Sequence, residues 1–380
     1  MLFMKKSIAL SALSASSALL VAASFLMGAP AVLAAPKAPK AATQTAGTLK
    51  IFTDWAVGCD NEKACQANGM MQVDQDPTIW VAPSVTRAGG ADAAAVLRLV
   101  MTDGWPDTFP PRGAVRFMTD DGTPLAIRPM EGEAEGRQQG WTVALDAALA
   151  AQLRNAKEIW LQGDDGRTHA KASLAGLNAA LVYMDDEQGR ADGVTALVAT
   201  GPKPASTVPT PRTAPRYKRA AASSAAAYQP SAAEWDALAA RAGCEKPDTS
   251  AGPDHYERNS YRLDAKTSLL AIGCGAGAYN VADAYYLARG KAGAMRFTPA
   301  PFDQGLGELK AGGDAPVLVN SGYDAATGLI THDNKGRGMG DCGTKASWLW
   351  DGTRFRLIRL AKMDECRGVR DWPSLWTAAY

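Results

Sequence analysis

Six cysteines fall into three near pairs along the 380-residue chain: Cys59 with Cys65, Cys244 with Cys274, and Cys342 with Cys366. An even set in an exported chain reads as a disulfide framework. Sequence alone leaves about fifteen pairings open, and the clustering favours three local bridges. A metal is the competing use of cysteine. There is no C-x-x-C spacing and the only histidines are His169, His255 and His332, so zinc lacks its usual ligand set and no cofactor is expected.

Export is read from the first residues. Lys5 and Lys6 precede an apolar run from Ile8 to about Met27, and small residues follow up to Ala34 and Ala35. That is the layout of a secretory signal peptide, residues 1–34, cleaved after Ala34. The run is almost long enough to span a bilayer, but its Ala and Ser content and Pro30 favour cleavage. No later stretch is apolar enough to cross a membrane, so the mature chain is expected in the periplasm or secreted. Formal net charge is +1, and losing Lys5 and Lys6 leaves −1. A near-neutral body argues against nucleic acid as a partner, because phosphate recognition needs a basic face.

The remaining pattern predicts a mainly β protein with a few helices (α+β): two disulfide-stapled antiparallel β-rich domains joined by a Pro/Ala-rich linker. Residues 35–48 read as a disordered spacer. A β-rich domain over 49–200 is marked by apolar alternation and by Asp121-Gly122 and Asp165-Gly166 turns. Two helices interrupt it, Asp146 to Asn155 and Ser173 to Gln188, each with leucines on one stripe. The run Asp185-Asp186-Glu187 is expected to be a solvated helix end, and Val194 to Thr200 a closing strand. Residues 201–230 contain no acidic residue but five Lys or Arg, and read as a basic extended tether. The second domain, 231–380, opens with a helix from Ala232 to Ala242 and continues in short strands.

Certain residues carry a resemblance. Phe52, Asp54, Trp55, Val57, Cys59, Asp60, Asn61 and Cys65, followed by Ser173-Leu174-x-Gly176-Leu177 and Asp185-x-x-Gln188-x-Arg190, are similar to a family of exported bacterial proteins of unknown function. Lys335-Gly336-Arg337-Gly338-x-Gly340-Asp341-Cys342, Trp350-Asp351-Gly352 and Cys366-Arg367-Gly368 resemble its C-terminal half. The opening segment is also distantly similar to the invasion-associated locus B family. The resemblance implies an exported, disulfide-bearing envelope protein and supplies no catalytic residue.

The densest stretch for function is Thr331 to Cys366. Gly336, Gly338 and Gly340 alternate there, as do Gly273, Gly275 and Gly277. In an extended strand each trio would lie on one face, where another chain or a ring approaches the backbone. Trp348 and Trp350, two residues apart, would then form a flat binding platform flanked by Lys335 and Arg337, unless the rings pack inward against glycine. Neither trio has a phosphate-loop spacing. Asp333, Asn334 and Asp341 fail as a calcium loop because Lys335 stands where an oxygen is needed. Asp254-His255 and His332-Asp333 offer bases for a hydrolytic triad, but no G-x-S-x-G elbow accompanies them. The expected function is non-catalytic binding of an envelope protein or glycan. Inhibition of a cell-wall-degrading enzyme such as lysozyme and hydrolysis of envelope polymers are the alternatives.

Overall fold

Alternation of period two builds the first sheet. Val81–Arg87 (β4) and Ala95–Met101 (β5) each bury every second residue along their full length. They pair antiparallel at the centre of a seven-stranded sheet. The other members are Lys50–Phe52 (β1), Trp55–Cys59 (β2), Cys65–Gly69 (β3), Arg128–Pro129 (β8) and Gly140–Leu145 (β9). Facing it is a four-stranded sheet of Arg116–Thr119 (β6), Pro124–Leu125 (β7), Glu158–Gln162 (β10) and Thr168–Ser173 (β11). Leu97, Leu99, Ile159 and Leu161 meet between them. Two helices close this core, Ala147–Arg154 (α1) through Leu153 and Leu177–Glu187 (α2) through Leu181 and Met184.

The computed structural model describes residues 45–75, 80–101, 115–129, 140–244, 257–291, 293–303 and 313–380. The predicted signal peptide, most of the spacer, His255 and Asp254 lie outside them. No helix of the described residues is long and apolar enough to cross a membrane.

The C-terminal half is a sandwich. Arg258–Arg262 (β12), Thr267–Ala276 (β13), Val281–Lys291 (β14), Ala294–Pro299 (β15) and Val317–Val319 (β16) form one antiparallel sheet. Gly322–Asp324 (β17), Leu329–Lys335 (β18), Gly343–Trp350 (β19), Phe355–Met363 (β20) and Ser374–Thr377 (β21) form the other. Leu269, Tyr285 and Leu287 of the first face Ile330, Trp348 and Trp350 of the second. The far side of β13 and β14 is covered by Ala232–Ala242 (α3), whose Trp235 and Leu238 pack on Leu270 and Tyr286. Sheets covered on both faces read as continuous apolar runs, and β13 is buried at its first eight positions. Its helix is sharply bounded: Ser231 and Glu234 make a reciprocal capping box, and Gly243 ends it in the left-handed region.

The two halves share a core. Ala56 and Met70 pack with Cys342, Met363, Val369 and Trp372, so β2 is buried on both faces. Residues Gln44–Tyr380 accordingly form one compact unit. The segment 201–230 is strapped down rather than free. Ala214 N–H donates to Glu62 at 2.8 Å, Ala220 N–H to the Trp350 carbonyl at 3.0 Å, and Arg219 to the carbonyls of Ala325 and Ala326.

Two local expectations are corrected. Val194 to Thr200 is not a strand, and Asp185 is not a solvated helix end. Asp185 is fully buried, and its carboxylate accepts the N–H groups of Leu197, Val198 and Ala199 at 2.9 to 3.2 Å. One charge thereby organises the loop that sequence alternation had suggested as a strand. Beside it, Arg190 donates to Gln188 and to the carbonyls of Gly90 and Ala91. Burial and the Arg190 charge push the nearby Arg87 guanidinium down to about 10.

Candidate functional site

The three disulfides are Cys59–Cys65, Cys244–Cys274 and Cys342–Cys366, and no cysteine is free. Cys59 and Cys65 face each other directly across β2 and β3. Asp341, Cys342 and Cys366 lie close together, but the two sulfurs are bonded to each other and offer no thiolate to a metal.

The platform expected at Trp348 and Trp350 is corrected. The two rings are in phase, but on the inner face: Trp348 is 0% and Trp350 1% exposed. Phe302 stacks on Phe355 at 4.6 Å and meets Trp348 edge-on at 5.2 Å, while Trp350 Nε1 donates to Asp264 at 2.7 Å. These residues close the sandwich, so they present no ring to a ligand. The glycine trios are not on single strand faces either. β18 stops at Lys335 and the chain turns through 336–340, with Gly340 at φ +66°. In β13 a bulge between Gly273 and Ala276 breaks the alternation, and Gly275 sits at φ +125°.

What stands at the surface is a loop. Between Lys335 and Cys342 the chain is held from within by Gly336 N–H to the Cys342 carbonyl at 2.8 Å and Gly340 N–H to the Arg337 carbonyl at 3.0 Å. Arg337 does not face a ligand as a free cation; it makes a bidentate pair with Asp341, Nε to Oδ1 at 2.7 Å and Nη2 to Oδ2 at 2.5 Å. Asp341 also accepts the Gly368 N–H at 2.7 Å. Burial alone would raise this carboxyl; the Arg337 hydrogen bond and the Gly368 N–H outweigh it and hold Asp341 below its ordinary value. From the facing sheet, Asn280 clasps the Lys335 N–H and carbonyl, at 3.2 and 2.9 Å, and Tyr279 O–H donates to the Gly336 carbonyl at 3.0 Å. The Lys335 ammonium has no partner among the described residues.

This scaffold exposes two side chains that the sequence patterns did not single out. Met339 at the turn is 57% exposed, and Tyr279, whose ring lies against Gly338, is 40% exposed. The signal for Met339 was an apolar residue inside a glycine turn. Tyr279 lies two residues before β14 begins.

Among the described residues, both histidines are engaged by other groups. His332 is buried, and its Nδ1 accepts the Val319 N–H at 3.0 Å; burial pushes its imidazole down to about 4. Ser321 Oγ donates to Asp283 at 2.8 Å, not to a histidine. His169 lies on an exposed hairpin, 3.1 Å from Asp165.

A family model described as a protein of unknown function, DUF1176, matches residues 49–379. The chain belongs to this family. The uncharacterized protein YpfG of Escherichia coli K12 is 30% identical over 354 residues, covering 89% of this chain and 95% of that protein. Among solved structures, invasion associated protein B from Bartonella henselae is 21% identical and covers 37% of this chain and 99% of its own, at a TM-score of 0.29. Within the DUF1176 chain, Asp54, Ser173, Asp185, Gln188, Arg190, Arg337, Asp341 and Arg367 all hold backbone or each other.

Proposed function

We propose that this chain is an exported, non-catalytic protein that recognises another protein of the bacterial envelope through the loop 335–342 and the adjoining Tyr279. The observation that carries the reading is the pre-organised loop itself. An ion pair, a disulfide and clasping hydrogen bonds fix its backbone, while Met339 and Tyr279 remain exposed. Rigid loops lose little entropy on docking, and methionine and tyrosine adapt well to protein grooves. Export is supported by the predicted signal peptide and by the complete use of cysteine in disulfides. The non-catalytic part is supported by the commitment of His332 and Ser321 to structural partners.

A narrower form of the same reading is inhibition of a cell-wall-degrading enzyme, favoured by the disulfide-closed tip. The test is capture of partners from envelope extract by the mature chain, compared with Met339→Asp and, as an exposed control, Val73→Asp. A partner kept by the control and lost by Met339→Asp supports the reading. Identical recovery by all three chains contradicts it.

A further inference from the structure

A second surface lies on the other half of the molecule, unrelated to the loop. Between the outer face of β10, the end of α1 and the start of α2 is an open cleft of ≈ 650 Å³, lined by Gln72, Arg154, Lys157, Trp160 and Asn178 among others. That volume is within the roughly 300–1,000 Å³ of small-ligand sites. We infer that this cleft binds an acidic oligosaccharide, with the Trp160 ring taking a sugar face and Arg154 and Lys157 taking its carboxylate.

Three observations converge on that ligand. Trp160 is half-exposed on a strand whose neighbours Ile159 and Leu161 point into the core. Its ring is fixed in place: Nε1 donates to Glu158 at 2.7 Å, and the Lys171 ammonium lies 5.2 Å from the ring centroid and 3.4 Å from the same carboxylate. An aromatic ring with a held orientation and one wet side is an amphipathic contact.

Charge decides which sugar. The two acids of the cleft are already engaged: Asp120 accepts the Lys157 and Glu158 backbone N–H groups at 2.8 and 3.4 Å, and Glu158 holds Trp160 and Lys171. The Arg154 and Lys157 side chains are exposed and have no carboxylate partner among the described residues. The side-chain amides of Asn178 and Gln72 stand beside them, free to exchange hydrogen bonds with hydroxyls. Lys171 neutralises Glu158, so with Arg154 and Lys157 three cations stand against two carboxylates at the cleft, and a guanidinium binds carboxylate best.

The test is isothermal titration of the mature chain with a trimer of galacturonic acid, with neutral maltotriose and with inorganic phosphate. The trimer is expected to bind at least tenfold more tightly than either control. Arg154→Gln with Lys157→Gln should weaken it at least tenfold, and so should Trp160→Ala, with Trp160→Phe retaining most of the affinity. All four side-chain changes are at exposed or part-exposed positions, and unchanged circular dichroism confirms folding. No heat of binding with the trimer, equal affinity for maltotriose or phosphate, or an undiminished signal in the Arg154/Lys157 variant would each overturn the inference.

Discussion

Arg367 and Asp54 are 313 residues apart and form a part-buried ion pair that ties the C-terminal disulfide loop to the first sheet. The guanidinium also donates to the Thr53 carbonyl at 3.0 Å and the Met71 carbonyl at 2.6 Å. Asp54 in turn accepts Ser173 Oγ at 2.6 Å. Three segments distant in sequence thus meet at one charge.

Removing one partner leaves the other charge poorly solvated, which typically costs about 3 kcal/mol. Arg367→Met should lower stability by that amount in urea unfolding, and Asp54→Asn by less, because the amide still accepts from Ser173. If the double variant loses the full sum of the two single losses, the residues act independently and the joint is not a pair.

Asp185 makes a comparable prediction inside the first half. Asp185→Ala leaves the Leu197, Val198 and Ala199 N–H groups without their acceptor and the Arg87 guanidinium, 3.7 Å away, without its counter-charge. A loss of about 3–5 kcal/mol is expected, with hydrogen exchange at residues 197–199 rising first. Unchanged protection there would contradict the role given to the carboxylate.

Much of this was legible from local pattern. The α3 boundaries follow from Ser231, Glu234 and Gly243, and β10 from alternation around an Asp-Gly turn, because caps and turns are decided within a few residues. The buried residues Asp185, Trp348 and Trp350 were not. Whether a charge near a helix end meets water depends on a segment that folds back from ten residues on, and whether two tryptophans in phase face in or out depends on a second sheet. Alternation reports that a strand has two faces, not which of them is covered.

His332 predicts a pH dependence. Its folded pKa, about 4, lies below the ordinary 6.5, so the unfolded chain takes up a proton first as pH falls. The stability it confers is complete above about pH 6.5 and is lost progressively towards about pH 4. The loss at pH 4.5 should be about 2.5 kcal/mol. His332→Asn keeps an acceptor for the Val319 N–H without titrating, so it should lose less than wild type between pH 7 and 4.5. Parallel losses in the two proteins would refute this.

Asp341 controls the loop rather than the whole fold. Because its folded pKa is depressed, its contribution is present above the ordinary carboxylate value and disappears as pH falls through the lower folded one. Asp341→Asn removes the bidentate charge pair while the Cys342–Cys366 bridge remains. Exchange protection at Gly336 and Gly340 should drop several-fold at neutral pH with little change in the global urea midpoint.

The most direct test of the binding surface is a photocrosslinking side chain placed at Met339 in cells making the full chain, with the same group at Val73 as an exposed control. A discrete protein adduct at Met339 that is absent at Val73 is predicted, weakened when Tyr279→Ala is added. No adduct at Met339, or the same set of adducts at both positions, would contradict the assignment of the 335–342 loop as the recognition surface.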